Sequence, residues 1–285
     1  MSRNRDRVGG HAPSADAPAA AVMQEQNTGG FSFVVPTEFV ELPSRGKYYP
    51  QNHPLHGKDS IEIRQMTAKE EDILISRTLL KKGIALDRVI QNLIVDKTVN
   101  PDTLLIGDKN AIIIAARVSG YGNVYDTSVA CPSCGTQQQS AFDLNDITPY
   151  CGENKDKLDA TDNGDGTFNL VLPRTQVMVT FRLLTGMDER NVYLASESDR
   201  KRNIDDRSIT TQLFALVVSV NGDSSNQARR YLVDNIPSID SRHIRLAYKL
   251  CNPNVDMIQE FECSECGHET EMEVPLSADF FWPKQ

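Results

Sequence analysis

Two matching motifs, 132 residues apart, limit what this chain can fold into. The first reads Cys131-Pro-Ser-Cys134-Gly135 and the second Cys263-Ser-Glu-Cys266-Gly267. In a C-x-x-C turn both sulfurs can aim at one point, and the trailing glycine lets the chain curl beneath them. A tetrahedral zinc ion takes four such ligands, with thiolates about 2.3 Å from the metal. The two pairs therefore predict one shared zinc site with Cys131, Cys134, Cys263 and Cys266 as ligands. Any fold that satisfies this must bring two distant stretches of chain together.

Other uses of the cysteines fit the sequence less well. A thioredoxin-like redox motif belongs to a βαβ pattern, which this sequence lacks. A disulfide within each pair suits an oxidising compartment, whereas the N-terminus carries no apolar export segment, so a reducing one is expected. A catalytic zinc keeps an open position, but four thiolates close the site, which favours a structural ion. His268 stands beside the second pair as a substitute ligand for one sulfur. Cys151 and Cys251 have no C-x-x-C partner and read as ordinary thiols.

The longest unbroken apolar stretch, Ala111 to Ala116, is too short to span a membrane. At 285 residues, 39% hydrophobic and 24% charged, the chain can bury a core as an ordinary globular protein. Its net charge of −9 repels phosphate, and no basic run flanks either cysteine pair. The alternative reading, a zinc-ribbon nucleic-acid or transcription-associated module, is disfavoured on that ground.

Along the chain, residues 1–30 are rich in Gly and Ala with almost no apolar periodicity, which predicts a disordered arm. Phe31 to Leu42 is β-rich and broken by prolines. A Pro-Ser-Arg-Gly turn leads to Tyr48 and Tyr49, read either as a lid on the core or as a docking patch. Ile61-Glu-Ile63 alternates as a strand. Thr67-Ala-Lys-Glu70 is a capping box that should start a helix ending near Gly83. Leu86, Val89, Ile90, Leu93 and Ile94 mark an apolar helix face. Asp108 reads as the N-cap of a third helix, ending before Gly120. A strand over Val124–Val129 then enters the first cysteine pair.

The pattern restarts after the first pair. Phe168-Asn-Leu-Val-Leu-Pro173 echoes Phe39-Val-Glu-Leu-Pro43, and Val179-Thr-Phe-Arg-Leu-Leu-Thr185 echoes Ile61-Glu-Ile-Arg-Gln-Met-Thr67. Thr185 with Asp188 gives a second capping signal, and Ile209, Leu213, Leu216, Val217 and Val220 a second amphipathic helix. Asp240 reads as an N-cap at the same 132-residue offset from Asp108. The expectation is an α+β fold made of one duplicated unit: strand, helices, strand, knuckle. Its parts would be an arm over 1–30, a first repeat over 31–146, a linker and turn over 147–167, and a second repeat over 168–285. Packing of the halves would join both knuckles in one zinc-ribbon-like site.

Motifs for catalysis are missing. Asp162-Asn-Gly-Asp-Gly166 lacks the acidic spacing of an EF-hand and reads as a turn. His53 and His56 lie in a Pro/Gly loop and read as solvated. There is no P-loop, H-E-x-x-H or G-x-S-x-G, so the chain is read as a non-enzyme. The aromatic Phe280-Phe-Trp-Pro283 either packs home or anchors a partner.

One resemblance rests on an ordered series of motifs. Glu41-Leu-Pro-Ser-Arg-Gly-Lys-Tyr-Tyr-Pro50 is followed by Ile61-Glu-Ile-Arg-Gln-Met-Thr-Ala-Lys-Glu-Glu71. Then come Gly107-Asp-Lys-Asn110, Arg117-Val-Ser-Gly-Tyr-Gly122 and Cys131-Pro-Ser-Cys134. The succession resembles the T4-type phage baseplate hub proteins, best over residues 39–146 and more loosely to the C-terminus. The Gly/Ala-rich N-terminal arm departs from that pattern. The resemblance implies a non-enzymatic part in building the hub of a contractile tail, as a component or as an assembly factor. Partners would be other hub or tail proteins, with self-association open and neither nucleic acid nor membrane expected. The place of action would be the host cytoplasm during assembly and the tail baseplate of the virion.

Overall fold

The computed structural model describes residues 23–28, 31–202, 205, 207–274 and 280–281. The first half contains β1 (Met23–Thr28), β2 (Phe31–Glu41), β3 (Ser60–Arg64), α1 (Ala68–Ile75), α2 (Arg77–Lys81), α3 (Ala85–Leu93), α4 (Ile106–Tyr121), β4 (Val124–Ala130) and β5 (Gln137–Asp143). Two short strands follow, β6 (Thr148–Tyr150) and β7 (Thr161–Asp162). The second half contains β8 (Thr167–Val171), β9 (Met178–Arg182), α5 (Gly186–Lys201), α6 (Ser208–Leu216), β10 (Val217–Val220), α7 (Asn226–Asn235), α8 (Ser238–Cys251), β11 (Asn254–Asp256), β12 (Ile258–Glu262) and β13 (Glu269–Glu273). The mixture is α+β, as expected.

Each half opens on an antiparallel hairpin, β2–β3 in the first and β8–β9 in the second. Alternation sets the buried face: Ile61 and Ile63 point inward on β3, Val179 and Phe181 on β9. The two capping signals are both present, and each does more than start a helix. The Thr67 N–H and hydroxyl donate to Glu70 at 3.0 and 2.7 Å, and Arg64 donates to the same carboxylate at 2.7 Å. Thr185 donates in the same way to Asp188 at 2.9 and 2.8 Å, and Arg182 reaches that carboxylate at 2.6 Å. In both halves the end of the second strand is thereby tied to the first turn of the next helix.

Several sequence expectations need correction. The helix expected from Thr67 to Gly83 breaks at Ser76, which is extended, giving α1 and α2. The helix expected through Ile209 to Val220 stops at Leu216, and the valine-rich run Val217–Val220 pairs with β9 instead. Asp108 and Asp240 are not N-caps. Each sits in the first turn of its helix, α4 or α8, and accepts from a distant loop. Asp108 takes the Ser44 N–H (2.9 Å), the Ser44 hydroxyl (2.5 Å) and the Tyr49 hydroxyl (2.8 Å). Asp240 takes the N–H groups of Arg174 and Thr175 at 2.9 and 3.0 Å. The loop that connects the two strands of each hairpin is thus held by a buried carboxylate on a helix. Residues 23–28, expected within a disordered arm, pair with β2; the rest of that arm lies outside the described residues.

The halves share one core. A bridge joins Leu105 to Thr185, with Ile106 N–H to Leu184 O at 3.1 Å and Gly186 N–H to Leu104 O at 2.9 Å. Strand β6, from the expected linker, pairs with β11. Lys109, almost fully buried, lies 2.8 Å from Asp87 and 2.7 Å from Glu189. Tyr48 and Tyr49 cover the core rather than forming a docking patch: Tyr48 packs on Phe168 at 5.9 Å between ring centroids, and both are buried.

Two expected outcomes follow from these ties. Asp108→Ala leaves three buried donors without their acceptor and should lower stability by about 3 kcal/mol in urea unfolding. Glu70 is held down from 4.5 to about 2, because the Arg64 and Thr67 bonds outweigh its burial. A depressed carboxylate stabilises fully above its unfolded value and loses that stabilisation as pH falls toward the folded value. Glu70→Gln should therefore be less stable than wild type at pH 7 and converge with it between pH 4.5 and about 2. Parallel curves across that window would show that Glu70 is not the group that titrates.

Candidate metal centre

Each cysteine pair occupies the tip of a β-hairpin. Strands β4 and β5 pair from Val124↔Asp143 to Ala130↔Gln137, so residues 131–136 form the first tip. Strands β12 and β13 pair from Ile258↔Glu273 to Glu262↔Glu269, leaving 263–268 as the second. The knuckle therefore lies between two strands, where the sequence pattern had revealed only the first of each.

The two tips are built alike. Cys131 N–H donates to Thr136 O at 2.9 Å, and Cys263 N–H to His268 O at 3.0 Å. Gly135 N–H and Gly267 N–H fold back on the carbonyls of Cys131 and Cys263, both at 2.9 Å. These glycines have φ of 74° and 67°, the left-handed turn that a side chain would oppose. Behind the tips lie Val129 and Phe142 in one hairpin and Phe261 and Val274 in the other, all buried. Each pair of positions is separated by the same 132 residues as the cysteines.

The fold brings all four sulfurs together, within 4.8 Å of one another. Cys131 Sγ lies 3.8 Å from Cys266 Sγ, and Cys134 Sγ lies 3.7 Å from Cys263 Sγ. Both close approaches join one hairpin to the other. Four ligands about 2.3 Å from the centre of a tetrahedron stand about 3.8 Å apart, so these separations match tetrahedral thiolate ligation. Cys131 and Cys263 are buried, whereas Cys134 and Cys266 face solvent. Among the described residues His268 is not part of the group. Cys151 and Cys251 also lie outside it.

The exposed thiols of the tetrad are shifted in opposite directions. The Thr136 hydroxyl and N–H hold the Cys134 thiol down to about 6. Cys266 receives an N–H from His268, which lowers its pKa, yet local desolvation and the hydrogen bonds with the three neighbouring sulfurs push it up to about 12. A metal cation held by the four sulfurs would draw all of them into the ionised form.

The base of the centre rests on residues that periodicity did not single out. Arg117, 1% exposed, donates from Nε to Phe280 O at 2.6 Å and from Nη2 to Val124 O at 3.0 Å, and its Nη1 reaches Gly122 O. It fixes the entry to β4 against the C-terminal segment. Phe280 packs edge-on to Tyr125 at 5.1 Å, and both Phe280 and Phe281 are buried. These two aromatics pack home; Trp282 and Pro283 lie outside the described residues. Gln138, on β5, crosses to the second hairpin and bonds to Glu262 and Ser264. No local pattern could have pointed to it, because its partners lie more than 120 residues away.

The other candidate groups are occupied elsewhere. His53 Nε2 lies 2.8 Å from Thr103 Oγ1, and His56 Nδ1 lies 2.6 Å from Tyr49 O. The stretch 162–166 is a turn in which Asp162 and Asp165 bind the N–H groups of Gly164 and Thr167. Among the described residues, no helix is long and apolar enough to cross a membrane.

Comparison with known proteins agrees with the sequence resemblance. No curated protein and no solved structure matches the chain. The family model described as T4 bacteriophage base plate protein matches residues 35–282, a span that includes both halves and both cysteine pairs. The chain belongs to the T4 bacteriophage base plate protein family.

Proposed function

We propose that the protein is a non-enzymatic structural or assembly protein of the phage tail baseplate hub, a scaffold clamped by one zinc ion. The observation that carries the clamp is the tetrad itself, which takes two sulfurs from each half at tetrahedral separations. An all-thiolate set closes the coordination sphere and suits a structural zinc. Such an ion joins residues 132 positions apart, where closing the chain costs the unfolded state most. Family membership supports the place of action: the host cytoplasm during assembly and the tail baseplate afterwards.

Internal duplication is part of the proposal. Helices α4 and α8 begin at the same 132-residue offset as the cysteines, and the zinc hairpins that follow keep it. Asp108 and Asp240 hold the loop between the strands of the opening hairpin in each half. On this reading residues 31–146 and 168–285 are two copies of one unit, connected through 147–167. The partners would be other hub or tail proteins, with self-association open. A nucleic-acid role is disfavoured by the net charge of −9 and by the exposed carboxylates of Glu260, Glu262, Glu269 and Glu271 beside the second knuckle.

Metal content tests the clamp. Purified protein should carry one zinc per chain, and Cys131→Ser and Cys263→Ser should each lose it and lower the melting temperature alike. A variant that keeps its full zinc would overturn the shared site. Quantitative mass spectrometry of finished particles and of tail-assembly intermediates tests the role. A hub component is present in finished particles at fixed small stoichiometry, and an assembly factor in intermediates alone. Absence from both sets, with the protein recovered on nucleic acid, would transfer the reading to the zinc-ribbon alternative.

A further inference from the structure

The two hairpin tips are joined by a side chain as well as by sulfur. Gln138 lies two residues beyond Thr136, at the start of β5, with its backbone opposite Val129. Its Nε2 donates to Glu262 O at 2.8 Å, and its Oε1 accepts from Ser264 N–H at 2.9 Å and from the Ser264 hydroxyl at 3.2 Å. Glu262 and Ser264 are the residues on either side of Cys263. A carbonyl before a residue and an N–H after it are the pair that one residue of a neighbouring parallel strand engages. The Gln138 amide, with one donor face and one acceptor face, supplies both groups from a side chain. It therefore fixes the backbone that carries Cys263, whose sulfur lies 3.7 Å from that of Cys134.

The arrangement is one-sided. The position 132 residues after Gln138 is Thr270, whose hydroxyl bonds to Glu271 O at 3.2 Å within its own strand. A second tie lies at the far end of the hairpins, where Gln259 Nε2 donates to Asp143 O at 2.7 Å. The hairpins are thus held in register at base and tip by neutral hydrogen bonds that need no metal.

We propose that Gln138 is a positioning residue that assembles the four-cysteine site before the ion arrives, and so sets the metal affinity. This rests on the zinc reading given above. Without Gln138 the second knuckle must be ordered against the first at the expense of binding free energy. Partners that orient metal ligands in this way typically change affinity by about 10–100-fold.

The test is competition for zinc between a chromophoric chelator and the full chain, in wild type, Gln138→Ala, Gln138→Met and Thr270→Ala. Gln138→Met keeps the length of the side chain and removes both polar groups, so it guards against a packing defect in the alanine variant. Both Gln138 variants should still bind one zinc, about 10–100-fold more weakly than wild type, with Thr270→Ala unchanged. In metal-free protein the Ser264 amide should exchange slowly with solvent in wild type and faster in both Gln138 variants. Equal affinity in wild type and Gln138→Met would overturn the inference, even if the melting temperature fell, and leave the zinc reading intact. Equal Ser264 exchange in the metal-free proteins would overturn it as well. Wild type that binds no zinc would instead overturn the zinc reading, and the inference with it.

Discussion

The backbone seam between the halves carries the rest of the structure. Leu104 to Ile106 pair with Leu184 to Gly186, so the starts of α4 and α5 are fixed to each other by hydrogen bonds. From that seam α4 runs sixteen residues to the entry of the first cysteine hairpin. Strand β11, which leads into the second hairpin, is held near the same helix by the Asn110–Asn254 bond at 3.1 Å. Four sulfurs can meet within 4.8 Å only because both hairpins leave from one rigid support. The proposed metal acts on a geometry that the seam and core have already narrowed.

Charge at the seam reinforces this. Lys109 would be costly to bury alone, but two carboxylates from different halves meet it, and they keep its pKa raised against the pull of burial. Arg190 adds a bond to Asp102 at 2.7 Å from the second half to the first. A buried pair gives little net stability over an apolar one, yet it penalises any docking in which a partner is missing. The network therefore acts as a register device between the halves.

Features carried by neighbouring residues were legible in the sequence. The cysteine tetrad follows from the repeated C-x-x-C-Gly, and the tied helix starts at Thr67 and Thr185 from residues three apart. The α+β alternation followed from period and β-branching. Asp108 and Asp240 show where local reasoning stops: an aspartate near a helix start looks like a cap, but here it answers donors 59 to 66 residues away. The strand at Val217–Val220 was read as helix because its apolar spacing fits both periods, and only pairing with β9 decides between them. Arg117 and Gln138 carry no periodic signal, since their partners come from other elements.

The two cysteine hairpins match where they face the core and differ where they face solvent. Val129 and Phe142 correspond to Phe261 and Val274, apolar and buried in both. On the outer face Ser128, Ala130, Gln137, Gln139 and Ala141 correspond to Glu260, Glu262, Glu269, Glu271 and Glu273, all exposed. Two of these carboxylate pairs stand directly opposite each other, Glu260 across from Glu271 and Glu262 from Glu269, an arrangement that destabilises an antiparallel pair. An isolated two-stranded hairpin is marginal even without such repulsion. This one is held at its tip by Gln138 and the cysteine tetrad, and along its inner face by Phe261 in the core. Those constraints fix its register independently of the outer face, which leaves the second hairpin able to carry five outward glutamates where its counterpart has serine, alanine and glutamine.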